Sequence, residues 1–361
     1  MVGGGPPGWI GEAHRRAAAL AGRLQVSRTF GASLGLESGR VYTSYQEMAS
    51  QEQRLREEGT EGALDFVVVV TPNPLHYDAG FPVLSDKPLA ENFADAAKLL
   101  ALVERTGLPF GLTHNYSGYP MALYHVKEAR ELVKAGKLGR LRKVVVTYAQ
   151  GWLTADGSSI TRTSGLSSLV DVGTHAEHLL RYITGLELSE LCADITTFVG
   201  GVREPDDFNV LLRFKCGAKG TSTGKGNGLK IEVYGSEASL EWAQEEPTLL
   251  TVRPRDAPEQ LHKAGNPYLS KAAKLHARLP PGHPEASLPS TYRLARLARA
   301  CCVGYLEGFA NVYLNFANTL RKTILKDGWK GIHFVEKVFE SGKQGTWVKL
   351  DDAVTGRRPP M

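Results

Sequence analysis

The feature that most constrains the fold is an unbroken apolar run, Phe66-Val67-Val68-Val69-Val70, cut off by Thr71-Pro72-Asn73-Pro74. β-Branched residues favour extended backbone. A strand that is apolar at every position, rather than at every second one, buries both faces. That is the situation of a strand in a parallel sheet covered by helices on either side. The prolines that follow lack a backbone N–H and end the ladder. The surrounding chain supplies the covering elements: the spacing predicts helices over 12–24, 45–58 and 92–105. The last carries an apolar stripe of Phe93, Ala96, Ala97, Leu100 and Val103. Further short strands are expected over 81–84 and 108–113. This alternation predicts a doubly wound α/β domain ending near residue 113. Ten residues, Thr71–Gly80, lie between the first two of these strands. A helical crossover between parallel strands takes about a dozen or more, so this link is read as a tight loop or as one that has lost its helix.

Beyond 113 the pattern changes. Pro120 can open a helix, Ala122, Val126, Ala129 and Val133 give it an apolar stripe, and Gly136 stops it. Strands are expected over 143–148, 194–199, 209–215 and 230–234. The last two alternate apolar and polar residues, as strands with one solvated face do. Residues 235–238 read as the turn of a hairpin into 239–242, and 304–325 as a long amphipathic helix. The second domain is therefore expected to be built on an antiparallel sheet. With 361 residues, 42% of them hydrophobic, the chain can fill two cores.

Charge and cysteine content exclude several functions. The 43 basic residues are nearly balanced by 38 acidic ones. The densest basic stretch, around Arg293, Arg296 and Arg299, has no interleaved aromatic platform, so nucleic acid is not an expected partner. Cys192, Cys216, Cys301 and Cys302 have neither metal-ligand nor disulfide-framework spacing. No apolar stretch is long enough to span a bilayer, and the start of the chain does not read as a signal peptide. A cytoplasmic protein with no membrane partner is the expectation.

Three segments carry chemistry. Lys87, in Ser85-Asp86-Lys87-Pro88, follows a strand, and ligands of α/β sheets bind beyond strand C-termini. It is either a cation aimed at a ligand or a surface lysine. Gly3-x-Gly5-x-x-Gly8 matches a dinucleotide phosphate loop, although Pro6 and Pro7 remove two backbone donors from it. A glycine-rich start is the other reading. Asp171 and His175 are four residues apart at the opening of an amphipathic helix. On a helix they share a face, and a carboxylate beside an imidazole fixes its tautomer and raises its basicity. The alternative is an N-cap aspartate followed by a helix-surface histidine. His178 lies nearby, but no further ligands accompany it and no metal is assigned.

Taken together in order, Thr71-Pro72-Asn73-x-x-His76, Asp86-Lys87-Pro88, His114-Asn115-Tyr116 and Asp171-x-Gly173-x-His175 resemble the glucose–fructose oxidoreductase / inositol dehydrogenase (Gfo/Idh/MocA) family. Tyr148-Ala149-Gln150-Gly151-Trp152, Tyr234-Gly235-Ser236 and Pro281-Gly282-His283-Pro284-Glu285 extend the likeness over nearly the whole chain. The resemblance implies an α/β fold with an N-terminal Rossmann-like parallel sheet (1–113). It implies a C-terminal α+β domain with a large, mostly antiparallel open sheet for substrate and oligomer contacts (114–361). It also implies an NAD(P)-dependent oxidoreductase that moves hydride between a sugar- or cyclitol-like alcohol and NAD or NADP, as a homo-oligomer. In this family frame Lys87 orients the substrate hydroxyl, His175 is the general acid/base and Asp171 orients it. Gly3, Gly5 and Gly8 meet the pyrophosphate, and Thr71, Pro72, Asn73 and His76 line the cofactor.

The chain departs from the family pattern at its short first strand, at Pro6-Pro7, before Lys87, and at 286–303, which reads as an insertion. These departures support a second expectation, a family-fold protein with impaired catalysis acting as a binding or structural subunit. The joint presence of Lys87, Asp171 and His175 supports the first.

Overall fold

The computed structural model describes residues 1–3, 10–20, 42, 44–70, 80–90, 92–118, 120–149, 169–198, 205–223, 228–263, 266, 268–274, 305–318 and 325–350. In chain order the elements are β1 (Val2–Gly3), α1 (Ile10–Leu20), α2 (Tyr45–Glu57), β2 (Val67–Val70), β3 (Val83–Ser85), α3 (Phe93–Thr106), β4 (Phe110–Leu112), α4 (Asn115–Gly118), α5 (Pro120–Lys134) and β5 (Lys143–Thr147). There follow a π-helical turn (Leu169–Gly173), α6 (Thr174–Thr184), β6 (Leu188–Thr196), β7 (Asp207–Phe214), β8 (Lys219–Thr223), β9 (Lys230–Tyr234) and β10 (Ala238–Ala243). The remaining elements are β11 (Leu249–Pro254), β12 (Gln260–Lys263), α7 (Lys271–Lys274), α8 (Tyr305–Asn318), α9 (Leu325–Gln344) and β13 (Val348–Lys349). The chain divides into two compact units, 1–128 with 264–332, and 129–263 with 333–361.

In the first unit β1, β2, β3 and β4 form a four-stranded sheet in that order, and every pair is parallel. The Val67–Val70 run is buried at all four positions, as its unbroken apolar character requires. Residues 71–82 alone link β2 to its parallel neighbour β3. α3 starts where Asn92 accepts from the Asp95 N–H, and it ends at Gly107, whose φ of +64° is left-handed. One side of the sheet is covered by an element from far along the chain. Tyr313 and Phe316 of α8 pack with Ala18, Val68, Val70 and Leu84, and Phe309 and Ala310 pack with Ala17. Small residues make this possible: a Cβ on Gly111 would lie 2.7 Å from the Phe316 ring.

In the second unit nine strands run in the order β12-β11-β10-β9-β5-β8-β7-β6-β13. β5 and β8 are the one parallel pair recorded in this sheet among the described residues. The expected hairpin is present, with Lys230–Tyr234 antiparallel to Ala238–Ala243. β7 alternates buried Phe208, Val210, Leu212 and Phe214 with more exposed residues. β6 starts well before the expected residue 194. Its first half, Leu188-Ser189-Glu190-Leu191, is half-polar and extended because β7 pairs with it as far as Leu188↔Phe214. β8, β11, β12 and helix α9 were not anticipated. β8 is a Lys-Gly-Thr-Ser-Thr segment with no apolar signal, held by neighbours on both sides.

The Pro281–Glu285 motif and the 286–303 insertion lie outside the described residues. Among the described residues no helix is long and apolar enough to cross a membrane, and no group of three or more His, Cys, Asp or Glu is placed to hold a metal ion.

Candidate active site

The two chemical constellations fall in different units. In the first, the C-terminal ends of four parallel strands point to one edge of the sheet. β1 ends at Gly3, β2 at Val70, β3 at Ser85 and β4 at Leu112. Residues 4–9 connect the end of β1 to Ile10, the start of α1, so the glycine segment lies between a strand and a helix N-terminus, where dinucleotide sites are built. Gly5, Gly8, Thr71, Pro72, Asn73 and His76 lie outside the described residues. By connectivity they leave the ends of β1 and β2, the edge where ligands of open α/β sheets bind. A parallel sheet whose first strand is followed by a helix N-terminus fits a dinucleotide, because the helix dipole favours its pyrophosphate.

Lys87 leaves the same edge one residue beyond Asp86, and Asp86 itself is firmly held. Its N–H donates to Val69 O (2.9 Å) and its Oδ1 accepts from Thr113 Oγ1 (2.7 Å). His14 Nε2 of α1 lies 3.4 Å from the same oxygen, an ion-pair distance longer than an ordinary hydrogen bond. His14 is fully buried and its Nδ1 is 2.9 Å from the Tyr313 hydroxyl. Burial by itself would raise the Asp86 carboxyl, but His14, the Thr113 hydroxyl and the Lys87 ammonium outweigh it and hold it below the usual carboxylate value. Burial, with the Asp86 charge added, pushes the Tyr313 phenol well above its usual value, so it keeps its proton. In the sequence Asp86 is visible only as a flank of Lys87, and His14, Thr113 and Tyr313 carry no motif. Adjacency to Lys87 was the available signal for Asp86; Tyr313, 299 residues from His14, had none.

In the second unit, Asp171 and His175 lie on consecutive turns of different kinds. Asp171 is in the π-helical turn, and His175 is the second residue of α6. The extra residue of a π turn re-aims side chains, and such turns recur at functional sites. Gly173 makes the turn possible: a Cβ there would meet Leu169 Cδ1 at 2.8 Å. Thr174 Oγ1 donates back to Val170 O at 2.8 Å and secures the junction. His175 is 6% exposed, so it is not a helix-surface histidine. Its ring lies edge-on to Tyr148 at the end of β5, centroids 6.1 Å apart. On the opposite side of the helix, Glu177 pairs with Arg181 (2.8 Å). An imidazole so packed is held in one orientation, which proton transfer needs.

Known proteins resemble the chain along its length. Residues 11–114 match the GFO/IDH/MocA oxidoreductase family with an NAD-binding Rossmann fold, and 126–241 match the GFO/IDH/MocA C-terminal domain. The uncharacterized oxidoreductase YfiI of Bacillus subtilis is 30% identical, over 97% of this chain and 96% of its own. The crystal structure of an oxidoreductase from Sinorhizobium meliloti is 34% identical at a TM-score of 0.79, covering 94% of this chain and 97% of that one. The inositol dehydrogenase homolog of Azotobacter vinelandii, solved with NADH and myo-inositol, is 28% identical at a TM-score of 0.79, covering 97% and 96%.

Proposed function

The chain belongs to the GFO/IDH/MocA oxidoreductase family, and from that premise we propose that it transfers hydride between a secondary carbinol of a sugar- or cyclitol-like polyol and NAD or NADP. The observation that carries the reading is the common edge of the parallel sheet, where β1 ends at Gly3 and β3 ends just before Asp86-Lys87. When bound, the nicotinamide supplies the hydride acceptor. The chain's own residues handle the proton and the charge. Oxidising a carbinol requires its hydroxyl proton to leave as the carbon gives up hydride. The Lys87 ammonium orients that oxygen and stabilises its developing negative charge. The His175 imidazole takes the proton, and Asp171 keeps the imidazole in the tautomer that can accept it. In the reducing direction His175 returns the proton to the oxygen.

Calorimetric binding of NAD(H) and NADP(H), followed by turnover with myo-inositol and other polyols, tests this. Lys87→Ala and His175→Ala are expected to keep cofactor affinity within ~3-fold and to lose turnover by about 10²-fold or more. Absence of binding at millimolar cofactor refutes the enzyme and leaves the binding-subunit alternative. Loss of binding in both variants refutes the assigned roles.

A further inference from the structure

We infer that Asp86, clamped by Thr113 and His14, is a positioning residue that sets where the Lys87 ammonium points. The inference rests on the reading of Lys87 as the residue that meets the substrate oxygen. Asp86 is the last point at which the chain is fixed before Lys87. Its N–H is tied to β2 through Val69 O at 2.9 Å, and its carbonyl accepts from Ser85 Oγ at 3.1 Å. The side chain is anchored separately, by Thr113 Oγ1 at 2.7 Å just past β4 and by His14 Nε2 at 3.4 Å on α1.

His14 cannot swing away. It is fully buried, stands edge-on to Phe309 at 4.6 Å between ring centroids, and meets the Tyr313 hydroxyl at 2.9 Å. The clamp therefore joins three elements: α1, which follows the glycine turn, the end of β4, and α8. Every member lies in the first unit.

Simple sheet-edge packing does not call for this arrangement. The Asp86 side chain is 18% exposed, and a carboxylate so enclosed pays for desolvation that an apolar residue of similar size would not. What the carboxylate adds is a fixed negative charge, a directional hydrogen bond from Thr113 and a close approach to His14, one residue before the ammonium. Preorganised charges of this kind cost no rearrangement when the transition state forms. A site held within a fraction of an ångström needs such supporting contacts behind the reacting group.

A double-mutant cycle separates positioning from folding. Asp86→Asn and Thr113→Val are each made in the wild-type and Lys87→Ala backgrounds and assayed with NAD⁺ and myo-inositol. In the wild-type background Asp86→Asn is expected to lower kcat by ~10-fold or more with the KM for myo-inositol little changed; in the Lys87→Ala background it is expected to cost less than ~2-fold more. Equal losses in both backgrounds, or none in either, overturn the inference.

A second readout does not depend on turnover. The protein is reductively methylated with ¹³C-formaldehyde, and the Lys87 resonance is identified by its disappearance in Lys87→Ala. Asp86→Asn is expected to move that resonance toward the position shared by the exposed lysines, in a protein that is still fully folded at the measuring temperature. An unmoved resonance overturns the inference. A moved resonance in a protein that turns over no polyol supports the positioning and refutes the substrate reading alone. Should Asp86→Asn fail to fold, Thr113→Val, which removes one donor and keeps the shape, carries both measurements.

Discussion

Gly235→Ala should damage the second unit more than any ordinary glycine-to-alanine change. Gly235 opens the turn between β9 and β10, and a Cβ there would lie 1.9 Å from Leu138 O, 2.7 Å from Leu138 C and 2.9 Å from Leu138 Cβ. The obstacle is backbone, so no side-chain rotation relieves it. Leu138 O must retreat by more than ~1 Å to reach ordinary contact. That oxygen accepts the Glu237 N–H at 3.0 Å, and around it Ser236 N–H donates to Arg140 O at 3.0 Å and Arg140 N–H to Ser236 Oγ at 3.0 Å. The opposing loop cannot give way freely either, because a Cβ on Gly139 would already lie within hard contact of Ser236 Oγ.

Losing one or two of these hydrogen bonds costs ~0.5–1.5 kcal/mol each. Forcing an extra methyl into a packed contact adds about 1–3 kcal/mol, so the expected loss is roughly 1.5–6 kcal/mol. Urea denaturation followed by tryptophan emission reports it, since Trp242 in the adjoining β10 is 1% exposed. Gly217→Ala is the control. Its φ is +84° and a Cβ there has open space, so only the left-handed backbone penalty applies, about 1–2 kcal/mol. A loss for Gly235→Ala no larger than for Gly217→Ala would refute the reasoning.

The Asp86 clamp has a pH signature. Its carboxyl is depressed below the usual 3.8 in the folded protein. The stability it contributes is therefore fully present above the unfolded value and is lost as pH falls through the folded one. The difference in urea midpoint between wild type and Asp86→Asn should be level from pH 7 to 5 and shrink below about pH 4; a gap that widens on acidification contradicts the assignment. Gly111→Ala should destabilise the first unit by ~1–3 kcal/mol, because its Cβ would meet the Phe316 ring at 2.7 Å. Adding Phe316→Leu should recover part of that loss in thermal melts, and a fully additive double variant would show that the two sites do not touch.

The sequence by itself determined the local elements and the kind of chemistry. A β-branched apolar run ended by prolines favours a strand buried on both faces, and Val67–Val70 is one. The apolar stripe over 92–105 located α3 almost to the residue, Phe93–Thr106. Alternation marked Lys230–Tyr234 and its hairpin partner. Lys87, Asp171 and His175 stood out because ammonium, carboxylate and imidazole at helix and strand ends are chemically conspicuous. Segments whose structure comes from neighbours were not legible: β8 has no apolar pattern and is a strand because β5 and β7 pair with it.

Tertiary structure alone decided three things. It brought α8 from the far end of the chain onto α1, so that Tyr313 meets His14 across 299 residues. It buried His175 beyond a π turn that its i, i+4 spacing from Asp171 could not foretell. It enclosed Asp86 among groups from three elements and depressed its carboxyl. The physical reason is the same in each case. Periodicity and turn chemistry act over a few residues and are written locally. Burial, and the charge state it imposes, depend on which distant surfaces meet.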